Sequence, residues 1–297
     1  MIQDQIKHLI QSQIHEDGMI ETGINGVQLF RATSAIPCAP AIYEPSIIVI
    51  ASGAKEATLD GRRYVYDNQQ YMCCPMSMPV NAGTPTASKN DPLYGVYISL
   101  SPRVMNEMSI EIETSSGLPR PQNSALNTQG IKLAQWDAAF SDALLRLLQL
   151  CGKTTEVAVL GDARLREVFY AVLTGEAGQF ARQSFNPGNA IARSIAYVSS
   201  NLKTPISIDD LANRAGMSRA VFHRKFKHAT TMSPIQFVKT MRLNTAAMRI
   251  AEGMTVSEAA MDVGYISTSQ FSREFKRSYG QSPKQWTAAQ HAFAGAA

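Results

Sequence analysis

Histidine is scarce in this chain and badly placed for metal chemistry. There are five, His8, His15, His223, His228 and His291, and none between residues 16 and 222. A three-His or two-His–one-carboxylate site cannot be built within that span. Cysteine is also scarce, and the four present show no disulfide-like spacing, which fits a reducing cytoplasm. No apolar run reaches the roughly 18 residues of a spanning helix, so no membrane insertion is expected. The N-terminus lacks the basic, apolar, small-residue order of a signal peptide. No nucleophile motif and no phosphate-binding glycine loop occurs. The expectation is a protein that is not an enzyme and needs no cofactor or metal.

What the chain does have is an internal repeat. One copy reads Gly216-Met-Ser-Arg-Ala-Val-Phe-His-Arg-Lys-Phe-Lys227, then Ser233-Pro-Ile-Gln-Phe237. The other reads Gly264-Tyr-Ile-Ser-Thr-Ser-Gln-Phe-Ser-Arg-Glu-Phe-Lys276, then Ser282-Pro-Lys-Gln-Trp286. From Ser218 onward the matches hold a constant offset of 49 residues. Phe222 answers Phe271, Arg224 answers Arg273, Phe226 answers Phe275, Lys227 answers Lys276 and Phe237 answers Trp286. A fixed period over so many positions identifies a repeated supersecondary unit.

Each unit reads as helix, glycine turn, helix. Ile208, Leu211, Ala212 and Ala215 follow a helical period, and Gly216 supplies the C-terminal cap. Ser218 is a suitable N-cap for a second helix, in which Phe222 and Phe226 share one buried face. Ala220, His223, Arg224 and Lys227 then fall on the opposite face. In the second copy Thr255 and Glu258 have capping-box spacing, and Ser269, Ser272, Arg273 and Lys276 face outward. Between the copies Pro234 fits the first turn of a helix running to about Ala251.

A helix of this kind fits the major groove of double-stranded DNA, where Arg can hold guanine O6 and N7 with two parallel bonds. Two such helices on one rigid arm reach successive groove segments about 34 Å apart. Charge agrees. Residues 188–297 carry 14 Lys+Arg against 6 Asp+Glu, a net of +8, and the whole chain is +4, so residues 1–187 are −4. A basic module on an acidic body is the footprint of a phosphate-binding domain.

Arg242-Leu243 through Ser282-Pro283, with Gly264-Tyr265 and Phe271-Ser-Arg-Glu-Phe275, resembles the signature of the AraC/XylS transcriptional regulators. The resemblance covers roughly residues 190–290. It implies a seven-helix, two-motif DNA-binding domain that controls transcription in the bacterial cytoplasm, most often as an activator touching RNA polymerase. The family's base-reading positions fall on Ala220, His223 and Arg224 in the first motif, and on Thr268, Ser269 and Arg273 in the second. Ala220 departs from the larger side chain many members carry and offers only an apolar contact, for example to a thymine methyl.

Upstream the period changes. Ile2, Ile6, Leu9, Ile10 and Ile14 mark a short amphipathic helix. Val27–Arg31 alternates, Ile47–Ile50 reads as a buried strand, and Asp60-Gly61 is a tight hairpin signal between Ala57–Leu59 and Tyr64–Tyr66. Tyr71–Cys74 and Tyr94–Leu100 are further strands. Many short strands with turn residues between them predict a small β-barrel or jelly roll. Tyr43-Glu-Pro-Ser46, Gly53-Ala-Lys55, Gly61 and Tyr71 resemble the N-terminal domain of one AraC subfamily, which implies a cupin-like barrel that takes a small-molecule effector. Phe30, Tyr43, Tyr64, Tyr66, Tyr71 and Tyr97 are the expected lining. Cys73 and Cys74 are adjacent, so only one faces the interior. With Cys38, in the loop Pro37–Pro40, they are candidates for sensing oxidants or electrophiles.

Leu133, Trp136, Phe140, Leu144, Leu147 and Cys151 step by three and four and predict one helix over 131–151, with a second from about Ala163 to Leu173. This pair packs either on a symmetry mate, giving a homodimer, or on the barrel. Gln183–Gly188 reads as linker. The expected fold is therefore α+β: a cupin-like effector-binding and dimerisation domain at 1–183, a linker at 184–189, and an all-α domain at 190–297. Its helix-turn-helix motifs lie at about 208–228 and 256–277. Two rival readings are an enzyme with an appended DNA module, and a regulator controlled by a partner or by its own expression level with no ligand.

Overall fold

The alternation of the N-terminal half becomes two antiparallel sheets. The structure, a computed structural model, describes residues 2–116 and 130–287. Helix α1 (Ile2–Gln13) leads into β1 (Gly18–Glu21), β2 (Val27–Ala32), β3 (Ile36–Tyr43), β4 (Ser46–Ser52) and β5 (Lys55–Leu59). Then come β6 (Arg62–Tyr66), β7 (Gln70–Cys74), β8 (Met78–Thr84), β9 (Leu93–Ser99), helix α2 (Pro102–Ser116) and β10 (Lys132–Gln135). One sheet has the order β1-β2-β9-β4-β7-β10 and the other β3-β8-β5-β6. The expected hairpin turn joins β5 to β6, with Asp60 at φ 47° and Gly61 at φ 79°. Both central residues at positive φ match the right-handed twist of the flanking strands.

Side-chain alternation sorts the larger sheet into two faces. Val27, Leu29, Ile47, Val49, Tyr71, Cys73, Val96 and Ile98 pack outward against helices. Phe30, Ala32, Ile48, Ile50, Met72 and Cys74 point inward, toward Tyr43, Ala57, Tyr64, Tyr66 and Val80 of the smaller sheet. The covering helices are α1, α2, α3 (Ala138–Leu148), α4 (Thr154–Thr174) and α5 (Gly178–Phe185).

Three expectations need correction here. The single helix over 131–151 is instead strand β10 followed by α3. Lys132–Gln135 pairs with β7 and covers its edge, and Asp137 accepts from the Phe140 amide at 2.7 Å to start the helix. Leu133 and Trp136 fit the helical spacing by coincidence of period. The second helix begins at Thr154, nine residues before the expected Ala163. Its first half is solvated, with Val159 74% exposed, so no apolar stripe announces it. Finally, Cys38 lies in strand β3, beside a register irregularity between Ile36 and Ala39.

The C-terminal half is helical: α6 (Ala190–Ser200), α7 (Ile208–Arg214), α8 (Arg219–Thr230), α9 (Pro234–Ala251), α10 (Val256–Asp262) and α11 (Thr268–Tyr279). Residues 283–287 begin another helix. Ser218 and Thr255 cap where the sequence places them, and Pro234 opens α9. Thr255 and Glu258 form the full capping box, with Oγ1 accepting from the Glu258 amide at 3.2 Å and the carboxylate accepting from the Thr255 amide at 3.1 Å. Thr255→Ala should cost about 1 kcal/mol in a denaturant titration. The bonds from Thr255 hold the Glu258 carboxyl below its usual range. That contribution is present above the unfolded carboxylate pKa and is lost as pH falls through the lowered folded value, so the gap between variant and wild type should narrow in acid, leaving the part due to the amide bond to the Thr255 hydroxyl.

The two halves meet along β3, β8 and α9. Asn244, 2% exposed, donates to the carbonyls of Ala41 and Val80 at 2.8 and 2.9 Å and accepts from the Tyr279 hydroxyl at 2.7 Å. One turn on, the Ile42 amide donates to the Met248 sulfur. A second junction joins Gly130, whose amide donates to the Ala229 carbonyl at 2.9 Å.

Candidate nucleic-acid interface

Helices α8 and α11 are held by matching aromatic anchors. Phe222 and Phe226 are fully buried with ring centroids 5.4 Å apart, and Phe226 meets Phe237 edge-on at 5.2 Å. In the second copy Phe271 and Phe275 are likewise buried at 5.4 Å, and Phe275 meets Trp286 at 6.1 Å. Each pair sits four residues apart, so burying it turns the other face of the helix to solvent.

That outer face carries the residues expected there. Ala220, His223, Arg224 and Lys227 on α8 are exposed, as are Thr268, Ser269, Arg273 and Lys276 on α11. Ser272 is half-buried, at the edge of the face. Among the described residues, Arg224, Lys227, Arg273 and Lys276 enter no ion pair, while neighbouring charges are consumed. Arg219 pairs with Asp209, Lys239 with Glu274, and both Lys203 and Arg249 with Asp262. Arg242 donates to the carbonyls of Leu202 and Thr204, which fastens α9 to the α6–α7 loop. The free cations thus sit where a groove would receive them, and the paired ones hold the scaffold. Sequence reasoning passed over Lys225 and Arg277, which are also exposed beside the two faces and enter no ion pair among the described residues. Their signal was simply basic residues flanking the expected readers.

The barrel interior gathers Phe30, Tyr43, Tyr64 and Tyr66, with half-buried Tyr97 against them. Tyr43 and Tyr66 share a hydroxyl–hydroxyl bond of 3.2 Å, and burial pushes both phenols above their usual range. Lys55 lies over the Phe30 ring, 5.2 Å from its centroid, and desolvation lowers its pKa. The hydroxyls of Tyr64 and Thr84 are buried without a partner among the described residues. Tyr71 does not join this set. It points out of the barrel and stacks on Phe140 at 4.2 Å, because it shares strand parity with Cys73 and not with Cys74.

Of the three cysteines, Cys73 lies under the helices and burial pushes its thiol up to about 12. Cys74 faces the interior and donates to the Met76 carbonyl at 3.2 Å. Cys38 is exposed on β3, its thiol raised by partial desolvation and by the Glu56 carboxylate. All three are therefore held as thiols, the less reactive form. Among the described residues no cluster of three or more His, Cys, Asp or Glu could hold a metal ion, and no helix is long and apolar enough to cross a membrane.

Comparison with known proteins agrees with this geometry. A family model described as AraC-type transcriptional regulator N-terminus matches residues 23–180, and a helix-turn-helix domain model matches residues 211–289. The regulatory protein SoxS of Escherichia coli K12 is 29% identical over 93 residues, covering 31% of this chain and 87% of SoxS. The transcriptional regulator MtrA of Neisseria gonorrhoeae is 38% identical over 81 residues, 27% of each chain. Among solved structures, ToxT of Vibrio cholerae shares the fold at a TM-score of 0.58 and 12% identity, over 88% of this chain and 97% of ToxT. ToxT with an unsaturated fatty acid bound aligns at 0.57 and 11% identity, over 92% of this chain and 97% of that one.

Proposed function

Because the chain belongs to the AraC-type transcriptional regulators, we propose that it activates transcription from specific promoters, with α8 and α11 reading bases in successive major grooves. It is a DNA-binding regulator of transcription. The observation that carries the finer reading is the pair of equivalent, exposed arginines, Arg224 and Arg273, unpaired among the described residues and carried on the second helices of two motifs that both pack on α9. In this reading His223, Thr268 and Ser269 contact base edges and Ala220 packs on a thymine methyl. Lys227, Ser272 and Lys276 bind phosphates. The linker expected at 184–189 starts two residues later, because Ser184 and Phe185 close α5 against the barrel; residues 1–185 form the sensory domain, 186–189 the linker and 190–297 the DNA-binding domain. RNA polymerase is the protein partner. The exposed Val159 and Tyr170 of α4 give the homodimer its contact face, since α3 is already spent on the barrel.

The N-terminal domain responds to a small molecule. Support comes from the buried, unpartnered hydroxyls of Tyr64 and Thr84 inside the barrel and from the fatty-acid complex of ToxT. The competing reading, control by a partner or by expression level alone, draws support from the filling of the barrel by its own aromatic and methionine side chains.

Fluorescence anisotropy on an operator selected from random sequence tests the DNA reading. Arg224→Ala and Arg273→Ala should each weaken specific binding by about 1–3 kcal/mol and leave binding to random duplex nearly unchanged. Equal losses on both duplexes would reduce these arginines to phosphate contacts.

A further inference from the structure

The two helix-turn-helix motifs differ in the turn between their helices. In the first motif one residue separates the turn glycine from the N-cap, Gly216-Met217-Ser218. In the second there are two, Gly264-Tyr265-Ile266-Ser267. The offset between the copies is therefore 48 residues at the glycines and 49 from the caps onward. Backbone bonds identify the extra residue. Met217 donates to the Ala212 carbonyl at 3.0 Å and Tyr265 to the Ala260 carbonyl at 2.9 Å, so these two are equivalent. Both send their side chains inward: Met217 packs half-buried on the core, and buried Tyr265 meets Phe271 edge-on. The caps are equivalent as well. The Ser218 hydroxyl accepts from the Val221 amide at 3.4 Å and that of Ser267 from the Gln270 amide at 3.2 Å. Ile266 is left over, with no counterpart in the first motif.

With the inward place and the cap both taken, the extra side chain has nowhere to go but out. Ile266 is 102% exposed, more than any other large apolar side chain among the described residues. Single exposed apolar residues are common, and exposure alone assigns no role. Position does. Ile266 immediately precedes the N-cap of α11, and the leading end of a recognition helix is the part that meets base edges. The exposed side chains that follow on α11 are Thr268, Ser269, Gln270 and Arg273, each carrying a polar group, whereas the reading face of α8 has apolar Ala220. Ile266 therefore supplies an apolar side chain at the front of the second motif. The apolar feature on a base edge in the major groove is the thymine C5-methyl.

We propose that Ile266 is a specificity residue: it packs on the C5-methyl of a thymine in the groove segment entered by α11 and makes the second motif select that base. The inference rests on reading α11 as a groove-reading helix, and it adds a reader that lies outside the helix, in the turn. Covering the methyl takes apolar surface of both partners out of water, which is worth roughly fourfold in affinity for one buried methyl. Cytosine, with no methyl at that edge, forfeits this gain. The first motif, one residue shorter in its turn, has no equivalent contact, so the two half-sites are read by different rules.

The test uses the full chain and an operator selected from random sequence, with its thymines replaced one at a time by deoxyuridine. That exchange removes the methyl and keeps every hydrogen-bonding group. In the half-site that Arg273→Ala assigns to α11, anisotropy should show one thymine whose replacement weakens wild type roughly fourfold. Ile266→Ser should bind the unmodified operator about as weakly as wild type binds the uracil one, and should lose nothing more when the uracil is introduced. Ile266→Val should keep most of the discrimination. Because Ile266 is fully exposed, both variants should unfold at the wild-type temperature, which separates a lost contact from a lost fold. A uracil effect of undiminished size in Ile266→Ser gives the methyl to another residue and overturns the proposal. A half-site with no uracil effect overturns it too. So does an Ile266→Ser chain that binds DNA like wild type but fails in transcription, which would make Ile266 a polymerase contact. If Arg273→Ala binds the operator as tightly as wild type, it is the groove reading of α11 itself that fails, and this proposal falls with it.

Discussion

Gly264→Ala is expected to destabilise the DNA-binding half by about 3–5 kcal/mol, while the equivalent Gly216→Ala costs about 1–2 kcal/mol. Both glycines end the first helix of a repeat in the left-handed region, Gly264 at φ 85° and Gly216 at φ 66°. Both close the same cap: Tyr265 donates to the Ala260 carbonyl at 2.9 Å, and Met217 to the Ala212 carbonyl at 3.0 Å. A side chain in that conformation is strained in either copy. The surroundings differ. A Cβ on Gly216 meets nothing within 4 Å, but one on Gly264 would lie 2.6 Å from the Leu202 carbonyl oxygen and 2.8 Å from that of Lys203. Those are backbone atoms of the α6–α7 connection, already gripped by Arg242, and they cannot swing aside. The second motif must then separate from the first, and with it the spacing of the two reading helices. Unfolding curves should show a fall of roughly ten degrees for Gly264→Ala and a few degrees for Gly216→Ala. Equal losses would mean that backbone conformation alone decides both sites and that the close approach is absorbed.

The same repeat explains why the C-terminal half was so legible. Anchors, caps and turn glycines recur at a fixed offset, so each position was read twice. The aromatic pairing of Phe226 with Phe237 is reproduced by Phe275 with Trp286, which the sequence pattern alone proposes. The N-terminal half offers no second copy. There Tyr71 and Cys73 differ from Met72 and Cys74 only in strand parity, and every one of them is buried, so burial pattern cannot say which face is interior. Ile131–Trp136 suits a helix by spacing until the pairing of Lys132–Gln135 with β7 is known, a contact some 60 residues distant in sequence. Helix α4 hid its first turns by exposing them.

The contact of β3 and β8 with α9, where the two halves meet, is tested most directly at Asn244. Its two N–H donors go to the Ala41 and Val80 carbonyls, which face each other across β3 and β8, and its oxygen takes the Tyr279 hydroxyl from the end of α11. The two carbonyls fix the amide orientation, since only the nitrogen end can serve them. One buried side chain thus ties the smaller sheet, the central helix α9 and the second reading helix together. Asn244→Ala leaves two carbonyls and one phenol short of a partner and opens a small void, at a cost of about 3 kcal/mol. Tyr279→Phe removes a single bond of the three and should cost about 1 kcal/mol. Because both act through the same bond, the double variant should cost less than the sum by about 1 kcal/mol. The loss should also be local. Hydrogen exchange in Asn244→Ala should quicken at β3 and at the end of α11, while α7 and α8, held by Phe222, Phe226 and Phe237, keep their protection. Uniform loss of protection across all six helices would show Asn244 to be ordinary core, and the two halves to be joined by packing alone.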